Sequence, residues 1–493
     1  MNLHRPRLLA LAAATLLSAA AGCTVGPNYK RATAPESAHW DVAEPWRESA
    51  PKDSLGKGEW WAVFHDDDLT ALEKETLQNN QSLKVSIARL EQARALAAIQ
   101  ISTQFPQVGT NPAIERQRLA ANRPANSSIQ PTGAVTQNSY TLPFIVSYEV
   151  DLFGRRRRSI EAAQANYQAS AADLENVRLL VTSQLAGDYF SLRQLDTQIA
   201  LLGRTVETLN RGLGLVNSRY KGGVASGLDV AQEETLLATT RTQLTLLTQQ
   251  RKQFEDAIAV LIGKPAPDFH LVARELNAEP PGLNAGLPSD LLERRPDIAE
   301  AERQMAVANA QIGVAKAAYY PSLQFSGSGG WLAADITKLA SVQSTFWAVG
   351  ANLAESIFTG GARRAQVQFQ QANYDATVAN YRGTVLQAMQ EVQDELNGLN
   401  VLDQAHQSQQ AAVNASRRTL DIATSRYTGG LVNYLDVVSA QQNLLSNEQE
   451  LAILQGQKLI TSVLLVKALG GGWDASSLAA VQAKSTRKDI IAP

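Results

Sequence analysis

An internal duplication sets the frame for this chain. SRYKGGVASGLDV begins at Ser218 and SRYTGGLVNYLDV begins at Ser425, an offset of 207 residues (425 − 218). The same offset lays Gln164-Ala165-Asn166-Tyr167 on Gln371-Ala372-Asn373-Tyr374 and Arg156-Arg157 on Arg363-Arg364. One register therefore links motifs spread along each half, so the chain contains two similar halves rather than a string of unrelated domains.

Each unit carries strands followed by very long helices. From Tyr140 to Leu152 every second residue is apolar, and Leu323, Phe325 and Trp331, then Trp347, Val349, Ala351 and Leu353, alternate with small or polar residues. That is the period of a strand with one apolar face, at lengths that suit a membrane barrel. Gln107 to Leu119 is the expected fourth strand, and Pro143 demands a bulge or an unpaired position because it lacks a ladder donor. Proline-free stretches follow at Ser159 to Tyr220 and Ala362 to Tyr427. A helix of ~60 residues reaches roughly 90 Å, far more than a globular domain needs. Gly222-Gly223 and Gly429-Gly430 supply turns, and return helices are expected over Leu228 to Ile262 and Leu435 to Leu469. Shorter helices precede each strand pair, around Leu69 to Ile101 and Pro296 to Ala318.

The N-terminus reads as an export signal. Arg5 and Arg7 precede an apolar run, Leu8 to Ala19, too short to span a bilayer. It ends in Ala20-Ala21-Gly22-Cys23, and Cys23 is the only cysteine, so no disulfide can form within the chain. A cysteine after small residues resembles the acylation site of bacterial lipoproteins, although Ala20 stands where leucine is usual. Thr24, in place of aspartate, implies the outer membrane by the same resemblance. No other stretch reads as a spanning helix, so the mature chain crosses a membrane, if at all, with strands. The expected divisions are a signal peptide 1–22, an extended segment 23–68, a first repeat 69–263, a proline-rich connector 264–290, a second repeat 291–470 and a tail 471–493.

Charge and composition close off other classes. With 45 Lys+Arg against 47 Asp+Glu there is no positive field for nucleic acid. His4, His39, His65, His270 and His406 are scattered without ligand spacing, so neither metal nor cofactor is expected. Asp66, Asp67 and Asp68 lack the glycine turn and distal glutamate of a calcium loop and read as helix-capping acids. No nucleophile, base and orienting group can be assembled by motif, so the chain is expected not to be an enzyme. Arg155, Arg156, Arg157 and Arg158, with Arg363 and Arg364 at the equivalent place, lie where a strand gives way to a helix. They are candidates for lipid phosphates or for a solvated helix start.

Four strands cannot close a barrel, and an open edge in lipid leaves backbone groups unpaired. Two copies give a filled eight-stranded barrel, and three give twelve strands with a bore. At this point LPSDLLERRPDIAEAE (Leu287 to Glu302) and ANAQIGVAKAAYYPSLQFSGSGG (Ala308 to Gly330) resemble the signature of the outer-membrane factor family, the TolC/OprM-type efflux proteins. CTVGPNYKR (Cys23 to Arg31), WWAVFHDDDL (Trp60 to Leu69) and ALGGGW (Ala468 to Trp473) are similar to its lipoprotein branch. The resemblance implies a predominantly α, α+β homotrimer: a twelve-stranded outer-membrane barrel, lipid-anchored through Cys23 and continuous with a periplasmic helical tunnel. It implies a periplasmic adaptor that meets the tips Gly222, Gly223, Gly429 and Gly430, and an inner-membrane transporter, of the RND type in that branch, that loads the duct. It also implies that Tyr427, Leu435 and Asp436 line a resting-state constriction in which three Asp436 carboxylates attract cations, whereas Ser439 stands where many relatives place a second acid. Helix capping is the other role open to Asp436. Small-molecule efflux leads; a type I protein-secretion duct and a channel-free periplasmic coiled-coil lipoprotein are the alternatives, and the cargo itself is not legible.

Overall fold

A computed structural model describes residues 24–35, 37, 40–41, 59–121, 133–282 and 291–473. The signal peptide, Cys23 and the tail from 474 lie outside the described residues. The elements run in the order α1 (Asp67–Asn79), α2 (Gln81–Ser102), β1 (Gln107–Thr110), β2 (Ala113–Leu119), β3 (Val135–Val150), α3 (Arg155–Lys221) and α4 (Gly227–Leu261). The second half follows with α5 (Pro296–Ala317), β4 (Ser322–Ala333), β5 (Thr345–Ala354), α6 (Ala362–Thr428) and α7 (Tyr434–Ala468).

The long helices match in length between the halves. Both α3 and α6 have 67 residues and both α4 and α7 have 35. At 1.5 Å per residue α3 and α6 extend roughly 100 Å. Each folds back on its shorter partner as an antiparallel hairpin, while α2 and α5 pack along α3, and α5 also along α6. Helix α3 begins at Arg155, four residues before the proline-free stretch suggests. Gly154 turns the chain at φ 81°, and the Asp151 carboxylate accepts from the Arg156 and Arg157 amides, which satisfies two free N–H groups of the first turn.

All described strands belong to one antiparallel sheet in which β3 pairs with β4 and β4 with β5. The expected strand 107–119 is broken: β1 pairs with Phe144–Ser147 and β2 with Val135–Thr141, and Asn111-Pro112 falls between. Pro143 sits opposite that break, where its missing donor costs nothing. On its other side Pro143 faces Gly330, where a Cβ would lie 2.0 Å from the Leu142 carbonyl oxygen, so only glycine fits. The register collects the alternating apolar residues into rows on one face: Leu142–Trp331, Phe144–Gly329–Trp347, Val146–Gly327–Val349 and Tyr148–Phe325–Ala351. Much of that face is unburied, and Trp347 is 80% exposed.

The main core lies midway along the helices, where Trp60, Trp61 and Phe64 pack with Leu69, Tyr189, Phe190, Ile258 and Leu465. Residues 264–282 run across it largely without regular structure, as the prolines indicate. They are tied down by the Arg274 amide on Asp196, the Leu276 amide on Thr197 and the Leu271 amide on Glu255. One expectation needs correcting: α7 is long and apolar enough to cross a membrane by length and composition. Its apolar residues are instead spent on packing against α6 and α3, which buries Leu459, Val463 and Val466 completely.

Candidate functional site

The two hairpin tips are built alike. At the end of α3 the Gly222 amide donates to Ser218, Gly223 to Tyr220 and Val224 to Arg219; at the end of α6, Gly429 donates to Ser425, Gly430 to Tyr427 and Leu431 to Arg426. These bonds satisfy the last carbonyls of each helix. Only the second glycine of each pair is demanded by its backbone, Gly223 at φ 74° and Gly430 at φ 71°.

The tips differ in how the return helix starts. Before α4, Ser226 and Asp229 form a reciprocal capping box, Asp229 N to Ser226 Oγ at 3.2 Å and Ser226 N to Asp229 Oδ2 at 3.0 Å. Before α7, Asn433 makes no side-chain cap, and Asp436 lies exposed with no partner for its carboxylate among the described residues. A reciprocal side-chain cap therefore accounts for Asp229, whereas Asp436 serves its helix only as an acid in the first turn. Leu435 is 53% exposed beside it.

Tyr427 is placed differently. It is only 9% exposed, with its ring between Tyr434 at 4.9 Å and the Arg219 guanidinium at 4.9 Å, so it clamps one hairpin to the other. It belongs to a small tip core with Leu209, Val216, Leu236, Leu237, Tyr434 and Val438.

Sequence reasoning missed Glu233. It is 0% exposed in this core, and neither carboxylate oxygen receives a hydrogen bond among the described residues. A Cβ on Gly212 would lie 2.6 Å from Glu233 Oε1 and 3.9 Å from the Tyr434 hydroxyl, so glycine leaves room for both groups. Burial pushes the Glu233 carboxyl above the usual carboxylate range, against a smaller opposing pull from the nearby Tyr434 hydroxyl, and burial and the adjacent Glu233 raise that hydroxyl in turn. A signal was present: Glu233, Leu236, Leu237 and Thr240 follow the i, i+3, i+4, i+7 spacing of one buried helix face.

The arginines at the strand-to-helix junction are largely spent within the chain. Arg155 and Arg156 pair with Glu149 at 2.6 and 3.1 Å, and Arg157 pairs with Asp151 at 3.2 Å. Arg158 corrects the lipid reading for that position, because it is buried and tethers the N-terminal segment. It donates to Asn28 Oδ1 at 2.8 Å and to the Gly26 and Val25 carbonyls, and pairs with Glu161 at 2.7 Å. Gly26, at φ 102°, lies so close to α5 that a Cβ there would come 2.5 Å from Gly313 Cα. Arg363 lies over the Tyr319 ring at 5.9 Å, and Arg364 is exposed.

Two of the three acids Asp66–Asp68 are taken up by structure, and Asp67 is an exposed first-turn acid of α1. Asp66 caps α1 through the Leu69 amide and accepts from Tyr189, and Asp68 pairs with Arg193 and Arg274, each at 3.2 Å. Further along, Glu300 is pushed up to about 7 by burial and by the neighbouring Asp173 and Asp297 charges.

Comparison with known proteins gives one answer at every level. A sequence model described as "Outer membrane efflux protein" matches residues 72–264 and 287–471. The toluene efflux pump outer membrane protein TtgF of Pseudomonas putida is 33% identical over 465 residues, 92% of this chain and 95% of that protein. The pyoverdine export outer membrane protein OpmQ of Pseudomonas aeruginosa is 33% identical over 473 residues, 94% and 97% of the two chains. The solved outer-membrane channel OprN superposes with a TM-score of 0.83 at 28% identity, over 92% of this chain and all of its own. Two long helical hairpins mounted on one apolar-faced sheet, with likeness along nearly the full length to efflux-pump outer membrane proteins, place this chain in the outer membrane efflux protein family.

Proposed function

We propose that this outer-membrane efflux protein is the passive exit duct of a tripartite pump, a homotrimer whose three four-stranded sheets close one twelve-stranded barrel above a helical tunnel in the periplasm. The observation that carries the reading is the sheet: apolar on one face, with the outer sides of β5 at one edge and of β1 and β2 at the other unpaired among the described residues. Ten residue steps separate Tyr140 from Val150 along its apolar face. At about 3.4 Å per residue and a tilt near 40°, these rise roughly 26 Å, the height of a membrane-barrel apolar band. Open edges at that depth would leave backbone donors and acceptors unsatisfied, so other copies must supply the pairing.

In this reading the tips Gly222-Gly223 and Gly429-Gly430 receive a periplasmic adaptor, and an inner-membrane transporter of the RND type delivers the cargo. Leu435 and Asp436 surround the axis at the resting constriction, with Tyr427 bracing them from the hairpin interface, and acyl chains on Cys23 add a second anchor. The chain divides into two repeats, 69–263 and 291–470, joined by the connector 264–290. Relatives named for toluene efflux and pyoverdine export support small molecules as cargo over secreted proteins. The chain supplies binding surfaces and a path, not catalysis.

The test is the full-length protein purified in detergent. Light scattering corrected for detergent should give a trimer mass, and planar bilayers should show discrete single-channel conductance. A stable monomer with every strand protected from hydrogen exchange, or trimers that never conduct, would overturn the duct.

A further inference from the structure

The apolar face of the sheet does not end at its last aromatic row. Ile114 lies opposite Tyr140 and Tyr140 opposite Ala333, and the same face then continues along β2 as Arg116 opposite Asn138 and Arg118 opposite Thr136. Alternation fixes this: residues two apart on a strand share a face. All four of these polar residues are exposed. Neither guanidinium has a hydrogen bond or ion pair among the described residues, and the acid between them, Glu115, projects to the opposite face. The contrast with the other end of the sheet is direct, since Arg155, Arg156 and Arg157 are neutralised by Glu149 and Asp151 and Arg158 is buried. The whole chain carries a net charge of −2, so two unpaired arginines here are not the overflow of a basic protein.

We propose that Arg116 and Arg118 form a headgroup site for phosphorylated lipid in the membrane leaflet distal to the helices. This inference rests on the reading of the apolar face as lipid-facing. Directly above such a band the outward-pointing side chains meet the headgroup layer, whose phosphates match the guanidinium fork in charge and geometry. The two residues stand about 7 Å apart along the strand. That spacing lets both reach one headgroup, with Asn138 and Thr136 offering further hydrogen bonds. In a trimer the site repeats three times around the rim.

The experiment uses the full-length trimer in mixed micelles, with lipid retained on the protein counted by native mass spectrometry. The probes are diphosphorylated lipid A, its monophosphorylated form and zwitterionic phosphatidylcholine. The wild type should bind them in that order of decreasing affinity, and millimolar inorganic phosphate should not displace the first. Arg116→Gln or Arg118→Gln should weaken retention of diphosphorylated lipid A roughly fivefold, and the double variant about 25-fold. Arg116→Lys with Arg118→Lys should fall between, keeping charge without the fork. Equal retention by wild type and double glutamine variant would overturn the site, as would complete displacement by inorganic phosphate, which marks a free-anion site. A companion measurement keeps the two readings apart. In bilayers with brominated acyl chains, the fluorescence difference between wild type and Trp347→Phe should be quenched. Absence of quenching sinks the lipid-facing sheet itself, whereas quenching with unchanged lipid A retention sinks only the arginine assignment.

Discussion

Glu233 should make the packing of the two hairpin tips depend on pH. Its carboxyl is fully buried between α3, α4 and α7, with no hydrogen bond to either oxygen among the described residues. The ionisable groups around it are Tyr434, Tyr427 and Asp229, with Arg219 occupied by the Tyr427 ring. Burial raises its pKa while the tips are packed, and separation of the hairpins returns it to the ordinary glutamate value near 4.3. The packed state therefore binds the proton more tightly. Its stability is full below the unpacked pKa and is lost as pH rises towards and through the raised packed-state value. An unsatisfied buried polar group costs about 1–3 kcal/mol, which corresponds to a 5–150-fold shift in the packing equilibrium. Val224→Cys and Leu431→Cys, at equivalent exposed positions of the two tips, accept spin labels. Distances in doubly labelled protein diluted with unlabelled chain should show a packed population that falls from pH 5 to pH 8.5. Glu233→Gln should flatten that dependence, and Glu233→Leu should raise the packed population throughout by removing the unsatisfied group. A pH dependence that survives in both variants would contradict this account, as would wild-type distances that do not move.

Other outcomes follow from the same geometry. Asp436→Ala should weaken block of the channel by hexamminecobalt added from the periplasmic side in single-channel recordings. Asp229→Ala should leave block nearly unchanged and cost about 1 kcal/mol of tip stability, read by thermal melting, because its carboxylate is committed to Ser226. Cys23→Ser should abolish incorporation of radiolabelled palmitate while the trimer still assembles in outer-membrane fractions; label retained by the variant would remove the lipid anchor. Arg158→Ala should destabilise the docked segment around residues 24–31 by about 1–3 kcal/mol, since it leaves the Asn28 and Gly26 acceptors without their donor. Limited proteolysis near residue 30 should then proceed faster than in the wild type.

Much of this architecture was legible because its signals are local and periodic. The alternation at 140–152 and 347–353 marked strands, the glycine pairs marked turns, and proline-free stretches marked helices whose ends fell within a few residues of expectation. The break at Asn111-Pro112 was less legible, because a proline shows that a ladder must be interrupted but not which partner absorbs the interruption. For the tips, the sequence showed that Asp229 and Asp436 occupy equivalent places without showing that one is hydrogen-bonded and the other has no partner among the described residues. That difference depends on the N-cap residue three positions earlier, Ser226 in one case and Asn433 in the other.

Element types, the duplication, the apolar face of the strands and, through its motifs, the family all follow from the order of residues alone. Which charges remain available is a property of the folded chain. Arg158 and Arg118 are alike in sequence, yet one is buried against the Gly26 backbone and the other, beyond an apolar face, has no partner among the described residues. Glu233 likewise looks like any helical glutamate until α3 and α7 close over it. The difference is one of range: periodicity and turn chemistry act over a few residues, whereas desolvation and ion pairing depend on what arrives from elsewhere in the chain.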